Sequence, residues 1–471
     1  MSDTTAEEPR RGAPDPMVLA LAVMSAVTAA LSVRMLMLDS ESSDYYYFLG
    51  PWYRYMADHG GFSALSNADF SDYNVPYLYL MAALTYLPVS ALAGIKWISI
   101  LFDLALASYT FRIVSLRWPD RTWHAFNAAL VVLLLPTVVT NSGWWGQADA
   151  IFTTFLVGGV YHVLRDRPWW ACAFFGIALA FKLQAVFLFP LLLVLVIVKR
   201  VPWRSLLALP AAYVALDIPA FLLGADPWQL LTVYTRQPDT YKQLTLNAPS
   251  VYQFVSVPQA DEDAVRSAGV LVAGVVVLAL VGLAVWAVRR GGGTGGVAGR
   301  AALTDTRVLL LATASAIAVP FLLPSMHERY FYVADVLSVI VAFQLPRKLW
   351  YLPVLVQLSS LGSYLKFIAP DLAPYLSMPA HGMLMLLALI AVLRATAGEL
   401  RAEPGPRADS ARERGRRPVL ADAPEPSTSS LLPSLPAQAQ APAPPVTWAA
   451  SHGRARVGGP AEHGRQTAAE E

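Results

Sequence analysis

Long apolar runs separated by short polar stretches set the pattern of this chain. Residues 17–38 stay apolar for about 22 positions, enough at 1.5 Å per residue to cross a hydrocarbon core of about 30 Å. Runs of the same kind follow near 95–115, 126–141, 148–164, 170–184, 185–198, 205–223, 268–288, 308–323, 331–345, 350–366 and 379–394. The pattern predicts an all-α polytopic membrane protein with twelve spans. Residues 76–93 are apolar too, but carry Pro76 and Pro88 and follow a long polar loop. They read as either a further span or a shallow helix at the interface.

Cations decide between the two. If 76–93 does not cross, five successive loops on one side carry Arg112, Arg117 and Arg121; Arg165 and Arg167; Lys199, Arg200 and Arg204; Arg289, Arg290, Arg300 and Arg307; Arg347 and Lys348. That is the positive-inside distribution, and a crossing at 76–93 inverts it throughout. The expected organisation is a cytoplasmic tail at 1–16 with Arg10 and Arg11, a transmembrane domain at 17–394, and a first external loop at 39–94 with an interfacial helix. Residues 395–471 shift to Ala, Pro, Arg, Glu and Ser with almost no aromatics, which predicts a disordered cytoplasmic tail. The stretch 170–198 has to hold two short helices turning near Lys182.

On this topology the polar clusters gather on the external face: 39–74, 143–149, Lys182 to Gln184, the loop 224–267, and His327-Glu328-Arg329. A chain that only needed to stay in the membrane has no reason to collect carboxylates, Lys, His and Arg there. Composition agrees with the class, at 56% hydrophobic and 14% charged with a mean hydropathy of +0.46. A net charge of +2 without a basic stripe gives no footing for a nucleic-acid partner. Cys172 is the one cysteine, so no intrachain disulfide is expected. Residues 17–38 lack a convincing small-residue cleavage site and read as the first anchor. No internal repeat is evident, which weakens a transporter built on inverted repeats.

Five constellations carry candidate chemistry. Asp44 is followed by Tyr45, Tyr46, Tyr47, Trp52 and Tyr53, which suits a general base beside a sugar-stacking wall or an interfacial aromatic belt around a solvated carboxylate. Asp72-Tyr73-Asn74-Val75-Pro76 suits a substrate contact or an Asx-type turn opening a helix. Gly143-Trp144-Trp145-Gly146-Gln147-Ala148-Asp149 reads as a polar mouth, with both tryptophans in the aromatic belt and Asp149 facing water, or as a helix first turn. Lys182, with Gln184, is an intramembrane cation without a nearby acidic residue in sequence; it is a functional candidate or snorkels to the interface. His327-Glu328-Arg329 suits an anionic phosphate or an ion-paired cap. No histidine pair has zinc-ligand spacing. Hard-cation binding (Mg or Mn) by Asp44 and Asp72 stays open.

In this order the motifs resemble the GT-C membrane glycosyltransferases, which take sugar from a polyprenyl-phosphate donor. The likeness is strongest to the glucosyltransferases of N-glycan-precursor assembly and to GPI-type mannosyltransferases, and it covers roughly residues 17–345. Asp44 with Trp52 looks like their acidic residue and aromatic loop after the first span. Asp72 to Pro76 resembles their Asp-Tyr-x-Pro stretch with one residue extra, Gly146 to Asp149 their Gly-rich segment, and Phe181-Lys182 their Phe-Lys pair. His327-Glu328-Arg329 stands where they carry His-Glu-Lys, with Arg for Lys. The resemblance implies a GT-C-like bundle of about 12 helices whose extracytoplasmic loops form the site. It further implies inverting transfer of a hexose, mannose or glucose, from a polyprenyl-phosphate sugar to a lipid-linked or cell-envelope glycan. Asp44 is then the base with Asp72 second, and Trp52, Trp144, Trp145, Gln147, Asp149, Lys182, Gln184, His327, Glu328 and Arg329 contact substrate. The alternative is a lipid-linked sugar flippase or other transporter.

Overall fold

The computed structural model describes residues 14–236, 243–290 and 303–402. Residues 1–13, with Arg10 and Arg11, Tyr241 of the 224–267 loop, Arg300, and most of the expected tail lie outside the described residues.

Helices stand at each of the twelve expected places. Pro16–Met35 starts at an Asp15 cap and a proline, whose missing N–H costs nothing in a first turn. Ala91–Arg117 starts at a Ser90 cap, and Asp305–Leu322 at a Thr304 cap. The final helix, Met378–Arg401, runs past the expected boundary at 394. Helix length does not by itself confirm twelve spans. Among the described residues six helices are long and apolar enough to cross a membrane. A seventh is the pair Thr122–Leu133 and Pro136–Trp145, bent by 50° at a proline. Asp149–Leu164, Pro168–Phe181, Leu183–Ile197, Tyr332–Gln344 and Leu352–Ile368 are shorter. Val75–Leu84 has 10 residues and reaches about 15 Å, half a hydrocarbon core.

The bundle packs tightly where small residues allow it. A Cβ on Gly176 would lie 2.3 Å from the Leu209 carbonyl, so this glycine lets Pro168–Phe181 press against Ala208–Leu222. Tyr332–Gln344 and Asp305–Leu322 form the centre, buried along nearly their whole lengths. Pro16–Met35 and Glu262–Arg290, by contrast, expose most of their apolar side chains on the periphery, as lipid-facing helices do.

Two polar clusters deep in the bundle are closely paired. Arg34 is fully buried and donates to Asp103, Ser142 and the carbonyls of Ala30 and Leu133, while the Tyr332 hydroxyl donates to Asp103 at 3.2 Å. Asp335 accepts from Gln357 at 2.8 Å and Ser360 at 3.0 Å.

Among the described residues two π-helical turns interrupt the helices, and both occur at one end of the bundle. Tyr45–Leu49 and Thr140–Trp145 are π-helical turns, a geometry that re-aims side chains and is frequent at functional sites. The otherwise helical chain also contains a two-stranded parallel pair, Thr245–Leu246 with Met326–His327, extended by a bridge from Asn247 to His327. Asn247 and Ser325 hold left-handed φ of 61° and 60°, and the Ser325 N–H and hydroxyl donate to the carbonyls of Leu244 and Gln243. The 243–250 loop is thereby pinned to the His327 motif.

Candidate active site

The irregular end encloses a cavity of about 340 Å³. Its lining includes Asp44, Trp52, Asp72, Trp145, Gln147, Lys182, Gln184, His327, Glu328 and Arg329. Ten of the twelve residues expected at the site thus share one wall. Asp149 stands directly behind them, bonded to Lys182. Trp144 is the exception: it stacks edge-on against Trp145 and lies outside the lining.

The expectation of a surface aromatic belt at 144–145 and a water-facing Asp149 is corrected here. Trp145 and Asp149 are buried at 2% and 1% exposure, because the π-turn rotates Trp145 inward against Tyr364 and Phe367. Gly146 then takes φ +72°, and a Cβ there would press on Lys96 at 3.2 Å. The chain re-enters a helix at Asp149, whose carboxylate accepts from Asn141 at 2.9 Å and from Lys182.

Lys182 sits where one helix stops and the next begins. Its backbone is extended (φ −157°, ψ 135°) between Pro168–Phe181 and the 3₁₀ turn Leu183–Leu188, so the ammonium leaves the helical rows and turns inward. Besides Asp149 it lies 5.7 Å over the Phe152 ring and 6.0 Å over the Tyr73 ring. It is 7% exposed and does not snorkel.

Arg329 binds three carboxylates at once: Glu328 at 2.8 Å, Asp44 at 3.3 Å and Asp149 at 3.7 Å. Burial disfavours its charge, but these neighbours hold its pKa well above the ordinary guanidinium value, so it stays a cation. Burial also pushes the Glu328 carboxyl upward, yet His327 and Arg329 outweigh that and hold it below the usual carboxylate range. The Tyr73 phenol is raised by burial far beyond its normal range and remains protonated.

Asp44 precedes the first π-turn, accepts a hydrogen bond from the Gln147 side-chain amide and forms an ion pair with Arg329. Tyr73 reaches the same Gln147 from the other side at 3.5 Å. Phe48, Trp52 and Tyr73 form a continuous run of ring contacts at 5.9 and 5.3 Å along the cavity. Asp72 lines the rim and is exposed. Among the described residues no group of three or more His, Cys, Asp or Glu side chains forms a metal-binding set.

The lining also includes residues that the sequence did not single out: Phe48, Leu49, Leu246 and Phe367. Tyr234 and Asn247 belong to the 224–267 stretch expected on the external face, and both line the cavity. Phe367, at the end of an ordinary apolar run, carries no local signal.

A family model described as "Glycosyltransferase family 87" matches residues 70–314, just over half of the 471-residue chain. The chain belongs to glycosyltransferase family 87. It is a multi-pass membrane glycosyltransferase, as the resemblance to the GT-C enzymes implied. The matched stretch contains Asp72, Gln147, Asp149 and Lys182 but neither Asp44 nor His327-Glu328-Arg329. Two solved structures of ArnT from Cupriavidus metallidurans are similar to it, one bound to undecaprenyl phosphate and one in the apo state. They share 14% and 15% identity with TM-scores of 0.47 and 0.46, over 81% and 82% of this chain and 77% and 78% of theirs. No curated protein sequence matches the chain.

Proposed function

We propose that this family 87 glycosyltransferase moves a hexose, mannose or glucose, from a polyprenyl-phosphate donor to a lipid-linked or cell-envelope glycan, at the extracytoplasmic face. The observation that carries the reading is that a partly exposed carboxylate, Asp44, a buried cation, Lys182, and a half-buried one, Arg329, line one cavity at one end of a membrane bundle. The arginine-bearing end of Ala91–Arg117 lies about 30 Å away along its axis. By the positive-inside rule that far end is cytoplasmic and the cavity opens outward.

The reaction needs a proton acceptor and a place for departing phosphate charge. The acceptor hydroxyl attacks the anomeric carbon, its proton passes to Asp44, and the electrons of the cleaved C–O bond leave with the polyprenyl phosphate. Attack opposite the leaving group inverts the anomeric configuration. A phosphate leaves without protonation when fixed cations face it in a site of low dielectric, the role of Lys182, Arg329 and His327. Phe48, Trp52 and Tyr73 supply apolar ring faces for the sugar, and Gln147 orients Asp44. Asp72 on the rim is the second choice of base.

The test is transfer by purified protein in nanodiscs from a panel of polyprenyl-phosphate sugars. Asp44→Asn is expected to lower turnover by about 10³-fold or more while donor binding persists. Near-normal turnover moves the base to Asp72. Translocation of lipid-linked sugar by reconstituted vesicles, without any transfer, overturns the reading.

A further inference from the structure

The Ala91–Arg117 helix contributes no side chain to the cavity, yet one of its faces is polar and fully buried. Lys96, Ser99 and Asp103 stand at i, i+3 and i+7, a single stripe. The Lys96 ammonium donates to three carbonyls, Met37 at 2.7 Å, Leu38 at 3.0 Å and Ser40 at 2.6 Å. That uses all three of its protons. The Ser99 hydroxyl donates to the Gln147 carbonyl at 2.6 Å. Asp103 accepts from Arg34, whose Nε also donates to Ser142 at 3.0 Å. The stripe therefore grips two unrelated segments: the exit from the first helix, four residues before Asp44, and the turn carrying Gln147. The two grips meet where Gln147 bonds the Asp44 carboxylate, and where Ser42 donates to the Trp145 carbonyl at 3.1 Å.

We propose that Lys96, seconded by Ser99, is a positioning residue that sets the Asp44 loop and the Gln147 turn in register for transfer. The inference rests on the reading of Asp44 as the base. A buried ammonium is costly in a bilayer unless satisfied, and here its partners are backbone carbonyls of one irregular segment rather than a carboxylate. A bond to backbone holds the course of the chain whatever side chains it carries. Displacement of a reacting group by about 1 Å can cost on the order of 10²-fold in rate.

The experiment is steady-state transfer with separate donor-binding measurements on Lys96→Met and Ser99→Ala in the full chain. Lys96→Met is expected to lower kcat by about 10²-fold with the donor Kd unchanged within about threefold, since Lys182 keeps Asp149 and Arg329 keeps Glu328 as partners whatever the Asp44 loop does. Ser99→Ala is expected to lower kcat by about fivefold with the same split. A Lys96→Met enzyme with kcat within about threefold of wild type overturns the proposal, as does donor affinity falling in step with kcat. If Lys96→Met does not fold, an unchanged kcat in Ser99→Ala overturns it. Lowered kcat in both variants beside normal turnover in Asp44→Asn removes the base reading and with it the proposal, whereas normal kcat in both variants beside a dead Asp44→Asn removes the proposal alone.

Discussion

Two buried ionic networks lie within one bundle and differ in how completely they are satisfied. Around Arg34, five hydrogen bonds converge on a fully buried guanidinium. Arg34, Asp103, Ser142 and Tyr332 have no buried polar atom left without a partner. Around Arg329, one guanidinium is shared by three carboxylates, and its Nε makes no hydrogen bond. The Gln184 carbonyl and the Trp145 indole N–H are also buried without partners. A closed network specifies a structure, because any departure leaves charge unpaired in low dielectric. The second network lies beside the cavity and keeps buried valences that no side chain fills. On the proposed function, this difference separates a girder from a site, although the residue types are the same.

Removing the ammonium nearest the cavity is the strongest way to break that comparison. Lys182→Gln is expected to cost about 10³-fold in kcat/KM, about 4 kcal/mol of transition-state stabilisation. It should cost only about 1 kcal/mol of stability, since Asn141 and Arg329 still face Asp149. Transfer rates and thermal unfolding in detergent read the two effects separately. Arg34→Met should do the opposite, losing about 3 kcal/mol of stability while the surviving folded protein keeps its kcat/KM within about threefold. If Arg34→Met is fully stable but inactive, the division between girder and site fails.

A milder change sharpens the distinction. Arg329→Lys keeps one charge but cannot span three carboxylates, so donor affinity is expected to fall by about 10-fold to 30-fold with little change in Tm. Equilibrium binding of a polyprenyl phosphate measures it.

The smallest effect is with pH. The Glu328 carboxyl is held below the ordinary value of about 4.3, so its stabilisation is complete above that pH and is lost as pH falls through the lowered value. Tm should therefore be insensitive to this group near neutrality and fall in acid, and Glu328→Gln should narrow that fall by about a few °C. An unchanged acid profile in the variant would mean that Glu328 is not held by His327 and Arg329.

Much of the architecture was legible along the chain, because lipid imposes a simple rule on each helix separately: it must be apolar and satisfy its own backbone. Hence the first anchor, the break at Lys182 and the helix opening at Pro76 appear where the apolar pattern and its interruptions place them. Burial was not legible. The runs at 148–164 and 331–345 form helices within a residue of the expected ends, but both are packed deep in the protein, which an apolar run alone does not reveal. The candidate site was legible as residue types and motif order, since Asp, Lys, His and Arg stand out against a hydrocarbon background.

Pairings were decided only by the tertiary structure. Lys182 has no acidic neighbour in sequence, and its partner Asp149 lies 33 residues away. Arg34 and Asp103 are 69 residues apart, and neither drew notice inside an apolar run. The inward rotation of Trp145 depends on a π-turn that leaves no hydrophobic signature. Hydrophobic pattern is a property of one segment against its solvent, so the sequence alone determined the helices and the residue types available for chemistry. A buried charge is stable only through the specific partner that packing brings to it, so the fold decided which of those residues became internal structure and which line the cavity.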